Sequence, residues 1–179
     1  MIPSFGENYR FQWEDLGDIE LGRPNLGPLL PVTVYRLAQY TLREAIAQRY
    51  GDDTAGDLLR DAGWIAGREF CLHMLDRTQP LTAFIAQLQT RLRDLGIGVL
   101  RVERADPESL TFLLTVSEDL DCSGLPITGT TVCDYDEGFF AGLLYAYTGQ
   151  SFSAREIDCW TTGDRTCRFD IKLEQLLAA

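Results

Sequence analysis

Cys159 and Cys167 are separated by seven residues with TTGDR at their middle. A hairpin turning there sets the two thiols across from each other, with Cβ atoms about 5 Å apart. Cys133 stands just ahead of a segment with helical character and offers a third thiol. A helix N-terminus favours its thiolate, and a bound metal does so far more. Glu156 is the candidate fourth donor. Three thiolates and one carboxylate make a closed tetrahedral set suited to structural zinc, which would tie the start of that helix to the last hairpin. Glu156 and Cys159 differ by three, however, so in a regular strand they face opposite ways. A bulge or an early strand end must rotate one of them. Scattered cysteines in a reducing compartment also serve as small buried hydrophobes, and spacing alone leaves both readings open.

The elements that must position these residues follow from hydrophobic period. Residues 1–31 are rich in Gly, Pro and Asn, show no sustained period, and read as an N-terminal arm or loop; residues 32–179 read as a single domain. Val34, Leu37, Ala38, Leu42, Ala45 and Ile46 recur at helical spacing until Gly51. A second helix, capped by Asp52 or Asp53, carries Ala62, Gly63, Ala66, Gly67 and Phe70, a small-residue stripe that lets another helix approach closely. Pro80 opens a third, with Leu81, Phe84, Ile85, Leu88, Leu92 and Leu95 on one face before Gly96. The period then changes to two in IGVLRVERA and SLTFLLTVS, which read as a hairpin turning near Asp106 and Pro107. A fourth helix follows Cys133, where Asp134 and Glu137 are spaced like a capping box and Gly149 ends the run. FSAREIDCW and TCRFDIKL make the second hairpin. Three helices, hairpin, helix, hairpin is an α+β order, with N-terminal helices packed on an antiparallel sheet.

The chain has 179 residues, 45% of them hydrophobic, and a net charge of −11. That length fits one core large enough to enclose a pocket. The negative field repels phosphate backbones and anionic lipid, so nucleic acid and membrane surfaces are not expected partners. Neither a signal peptide nor a long apolar run is visible, and five cysteines is an odd count. Both point to a reducing cytoplasm rather than a disulfide framework.

The stretch CDYDEGFFAGLLYAYTGQSFSAREIDCWTTGDRTCRFDI resembles the C-terminal signature of 4-vinyl-reductase domains: Cys, Gly-Phe, Gly, then Glu-x-x-Cys, Gly, Cys and a closing apolar strand. There are 22 residues between Cys133 and Glu156, two to Cys159 and seven to Cys167, which is similar to the zinc-bearing part of the domain in bacterial phenol-sensing activators. The resemblance implies structural zinc on Cys133, Glu156, Cys159 and Cys167. It implies a fold like the ligand-binding domain shared by nitric-oxide signalling and Golgi-transport proteins, a pocket for a small apolar or aromatic ligand, and a homodimer. The chain lacks the ATPase and helix-turn-helix of phenol sensors. It also lacks their pocket His and Trp on SLTFLLTVS, so phenol is not the expected ligand.

Phe84, Phe112, Leu114, Phe139, Phe140 and Tyr145 are candidate pocket residues, although aromatics at such spacing also make plain core. His73, the single histidine, would have to serve as the axial ligand of a haem; a hydrogen-bonded core histidine is the simpler reading, and haem is not expected. Gly138 and Gly142 suit close helix packing, and no phosphate-cradling loop follows a strand, so no nucleotide is expected. No catalytic constellation stands out. The expected function is therefore a sensory domain binding a small hydrophobic molecule. The alternatives are a 4-vinyl reductase or accessory protein of chlorophyll biosynthesis, which would need a cofactor, and an interaction module without ligand.

Overall fold

The structure is a computed structural model and describes residues 9–106 and 108–174. The first eight residues of the expected arm, and Pro107 in the expected turn, lie outside the described residues. Two short helical turns, Trp13–Leu16 and α1 (Ile19–Gly22), precede three long helices: α2 (Val32–Tyr50), α3 (Asp52–Met74) and α4 (Leu81–Asp94). Then come β1 (Val99–Asp106), β2 (Thr111–Ser117), α5 (Asp134–Thr148), β3 (Phe152–Asp158) and β4 (Cys167–Leu173). The four strands form one antiparallel sheet in the order β1-β2-β4-β3, so the second hairpin joins the first through its last strand. The expected α+β order is the observed one. No helix among the described residues is long and apolar enough to cross a membrane.

α2 and α3 are separated only by Gly51, whose φ of 93° breaks the helical path where a side chain would be strained. The cap is thus Gly51, and Asp52 and Asp53 sit in the first turn, where carboxylates favour the helix dipole. Gly149, in the left-handed conformation, ends α5 and donates its N–H to Tyr145 O.

The small-residue stripe expected on α3 meets its counterpart on α5. A Cβ built on Gly63, Gly67, Gly138 or Gly142 would stand 2.0, 1.9, 1.9 or 2.0 Å from a backbone carbonyl oxygen of the other helix. The two backbones are therefore in direct contact, which larger side chains would forbid. On its other side α5 faces the sheet, and Phe169 and Ile171 of β4 are fully buried there. Each such side chain contributes about 1.5–3 kcal/mol.

α2 departs from expectation. Its apolar residues Leu37 and Leu42 are 65% and 55% exposed, and no residue of the helix is fully buried. Its polar side chains make its contacts instead. Arg36 donates to the carbonyl oxygens of Asp119, Leu120 and Ser123, and Tyr40 donates to that of Asp121.

Candidate metal centre and ligand cavity

The turn held by Arg36 delivers a thiol that spacing did not point to. Asp119 Oδ1 accepts hydrogen bonds from the backbone N–H groups of Asp121 (2.8 Å) and Cys122 (3.1 Å), a side-chain turn that aims Cys122 inward. Cys133 is the N-cap of α5. Cys159 ends β3 and opens a short helical turn closed by Gly163 at φ 106°, and Cys167 begins β4. The Sγ atoms of Cys122, Cys133, Cys159 and Cys167 all lie within 4.8 Å of one another, and all four residues are buried. Cys133 Sγ is 3.9 Å from Cys159 Sγ and 3.8 Å from Cys167 Sγ, while Cys122 and Cys167 approach to 3.0 Å. Four sulfurs around one zinc stand about 3.8 Å apart, given Zn–S bonds of about 2.3 Å. The donors thus fit a tetrahedral thiolate site in number, chemistry and spacing.

Glu156 is the correction to the expected ligand set. The parity difficulty is met by a register shift between Glu156 and Asp158 together with the end of β3 before Cys159. Glu156 therefore points inward, but its Oε2 accepts from the backbone N–H groups of Val132 (3.2 Å) and Cys133 (3.0 Å). It holds the start of α5, while the fourth position beside Cys133, Cys159 and Cys167 is taken by Cys122. Glu137 completes a reciprocal tie, its Oε1 accepting from Glu156 N at 2.8 Å. The expected capping box does not form, because Glu137 is engaged with β3, Arg60 and Arg155, and Asp134 with Arg43 and Arg60.

Electrostatics at this end describe a site short of positive charge. Hydrogen bonding among the thiols, with Cys122 first, pushes the Cys133 and Cys167 thiols up and holds Cys159 well below its usual range. Burial pushes the Glu156 carboxyl up to about 8, with the neighbouring Cys159 adding to it. A divalent cation within the cluster would reverse this balance and deprotonate the thiols outright. Cys71 lies apart. Burial pushes its thiol up to about 11.

The expected pocket residues divide between two places. Phe84, Phe112, Leu114 and Phe140 surround a void of only about 20 Å³ between α4, α5 and the sheet, which is packed core. Phe139 belongs to a separate cavity of about 550 Å³. Tyr145 lines neither and packs against Trp64. The large cavity lies under the N-terminal segment, with Phe11, Trp13 and Leu16 on one side and Ala66, Phe70 and Phe139 on the other. Trp13 stacks on His73 at 4.8 Å, so the histidine is a half-exposed surface partner rather than a core residue. Sequence reasoning missed this cavity because three of its walls come from a segment without periodicity.

The cavity's polar lining is acidic and phenolic: Glu69, Asp121, Asp136, Tyr35 and Tyr135. Asp121 accepts from Tyr35 (2.8 Å) and Gln39 (2.6 Å), and Glu69 is paired with Arg68 and lies 3.4 Å from His73 Nε2. Asp136 accepts no hydrogen bond among the described residues, and its Oδ2 is buried without a partner. Burial, followed by Asp121 and Asp119, pushes its carboxyl far above the carboxylate range. A carboxylate oxygen of Asp136, one of Asp119 and Cys133 Sγ lie within 4.8 Å of one another, so cavity and cluster meet at the first turn of α5.

Residues 112–173, from β2 through β4, match the vinyl-4-reductase domain family, so the resemblance read in the sequence holds over the segment that carries the cysteines. An uncharacterized protein of Methanocaldococcus jannaschii is 28% identical over 171 residues, covering 92% of this chain and 90% of that protein. Among solved structures, the phenol-responsive sensory domain of the transcription activator PoxR, determined with phenol, superposes with a TM-score of 0.61 at 17% identity. The match covers 82% of this chain and 76% of that one. A trafficking protein particle complex subunit 3 from Naegleria fowleri, covalently bound to palmitic acid, superposes at 0.64 with 11% identity, covering 83% and 98%. At these identities the likeness is one of fold.

Proposed function

We propose that this chain is a sensory-type domain that encloses a small hydrophobic molecule in the cavity under its N-terminal segment, with structural zinc on Cys122, Cys133, Cys159 and Cys167. The observation that carries the reading is the cavity itself. Its volume of about 550 Å³ falls in the range of about 300–1,000 Å³ that small-molecule sites occupy, and its walls are mainly apolar with a few convergent polar groups. That PoxR's sensory domain shares the fold and was determined with phenol supports the class of ligand. The metal would supply cross-linking rather than reactivity, since a site closed by four protein ligands leaves no open position. Four free thiols suit a reducing compartment such as the cytoplasm. Association into a homodimer is part of the proposal, and the exposed Val34, Leu37 and Leu42 of α2 are the surface it would use; sedimentation of the purified chain checks it.

Thermal unfolding against a panel of apolar and aromatic compounds tests the reading, with Ala66→Trp as the cavity-filled control. A compound present at 100 times its Kd adds about 2.7 kcal/mol, which raises Tm by roughly 5–11 °C in a chain of this size. We expect at least one such compound, with the rise abolished in Ala66→Trp. Compounds that shift neither protein, or both alike, overturn the cavity as the binding site.

A further inference from the structure

A cavity selects ligands by the groups it leaves unpaired as well as by its volume. Lys, Arg and His are absent from the residues that line this one, whereas three carboxylates, those of Glu69, Asp121 and Asp136, reach it. Two of the three are satisfied within the protein. Asp121 has a donor on each oxygen, from Tyr35 and Gln39, and Glu69 faces Arg68 and His73. Asp136 is different. Its carboxylate accepts nothing among the described residues, and its Oδ2 is buried besides. A buried acceptor left without a donor costs free energy that a suitable partner recovers, and more if the partner is charged. The chain's net charge of −11 adds a field that draws cations and repels anions.

Resting on the reading of the cavity as the binding site, we infer that its ligand is an apolar, aromatic-sized molecule carrying a protonated amine, with the ammonium donating to Asp136 and the ring body lying against Trp13, Phe70 and Phe139. A neutral hydroxyl can also donate to Asp136, but it gains nothing from the charge of the three carboxylates. A ligand carboxylate meets like charge with no cationic side chain on the wall to offset it, so fatty acids are excluded despite the apolar walls. The cavity is thus tuned by charge as well as by shape.

Three indoles that differ only in their terminal group test this: tryptamine, the corresponding alcohol tryptophol, and indole-3-propionate. Binding is measured by calorimetry on the purified full chain, with metal content recorded for every sample. The expected order is tryptamine at least ten-fold tighter than tryptophol, with indole-3-propionate too weak to measure. Asp136→Asn, which keeps size and can still accept a hydrogen bond, should bring tryptamine to within about three-fold of tryptophol at unchanged metal content. The ranking in the native protein stands without the variant should that substitution fail to fold. Equal binding of tryptamine and tryptophol overturns the charge selection while leaving the cavity as a hydrophobic site. Tightest binding by indole-3-propionate overturns it more directly. Failure of all three indoles overturns it too, and if the apolar panel is also silent the cavity reading falls with it.

Discussion

On one side of the first turn of α5, Cys133 meets three other buried thiols within 4.8 Å. On the other, Tyr135, Asp136 and Phe139 face a cavity of about 550 Å³. The sulfur end is dry and fixed by local devices: the Asp119 turn, the Glu156 bonds to the start of α5, and the short turn after Cys159. The cavity end leaves an acidic group unpaired and is roofed by a short helical turn and little else. One end gains stability by closing every valence, and the other keeps room by leaving some open. Both depend on the same spine, the α3–α5 crossing at Gly63, Gly67, Gly138 and Gly142.

That shared spine gives the largest expected effect. Gly138→Ala places a methyl 1.9 Å from Arg60 O, and Gly67→Ala places one 1.9 Å from Phe139 O; in each case the obstruction is backbone and cannot swing away. Each substitution should cost about 3 kcal/mol or more and lower Tm by roughly 6–12 °C, with both metal content and ligand binding impaired. Thermal unfolding checks the size. A variant that kept full stability would mean the helices part easily and that the two ends are not held by one spine.

The next effect belongs to the metal end alone. Cys122→Ser should lose most bound zinc and lower Tm, whereas Glu156→Gln should keep about one zinc per chain and lose only the strength of the hydrogen bonds at Val132 and Cys133. Elemental analysis beside Tm distinguishes them. Zinc retained in Cys122→Ser and lost in Glu156→Gln would return the fourth position to the carboxylate.

How legible these features were follows from where the positions come from. The α3 stripe announced a close helix crossing, because small residues at spacings of three and four leave nothing else for that face to do. Cys133, Cys159 and Cys167 were legible because a helix start and a hairpin bring them together from nearby sequence. Cys122 was not, since only Arg36 and Tyr40, more than 80 residues earlier, hold its turn in place. The apolar faces of α4 and β2 suggested a pocket at Phe84, Phe112, Leu114 and Phe140, but the side chains there fill their own space. Periodicity reports that a face is buried and says nothing about whether it is filled. The cavity lies where period gives no signal, under Phe11, Trp13 and Leu16.

The smallest expected change in stability is at that roof. Trp13 contributes a stacked contact with His73 and part of the cavity wall, and the helical turn bearing it contains no buried residue. An aromatic pair of this kind is worth about 0.5–1.5 kcal/mol beyond its buried area, and less where solvent reaches it. Trp13→Ala should therefore shift Tm by only a few degrees and leave metal content unchanged, while weakening a bound aromatic ligand several-fold. The contrast with Cys122→Ser is the sharper test of the two-ended design: one change should loosen the whole fold, the other only the ligand. If Trp13→Ala lowers Tm as far as loss of the metal does, the N-terminal segment belongs to the core and the cavity is no separate, open-ended region.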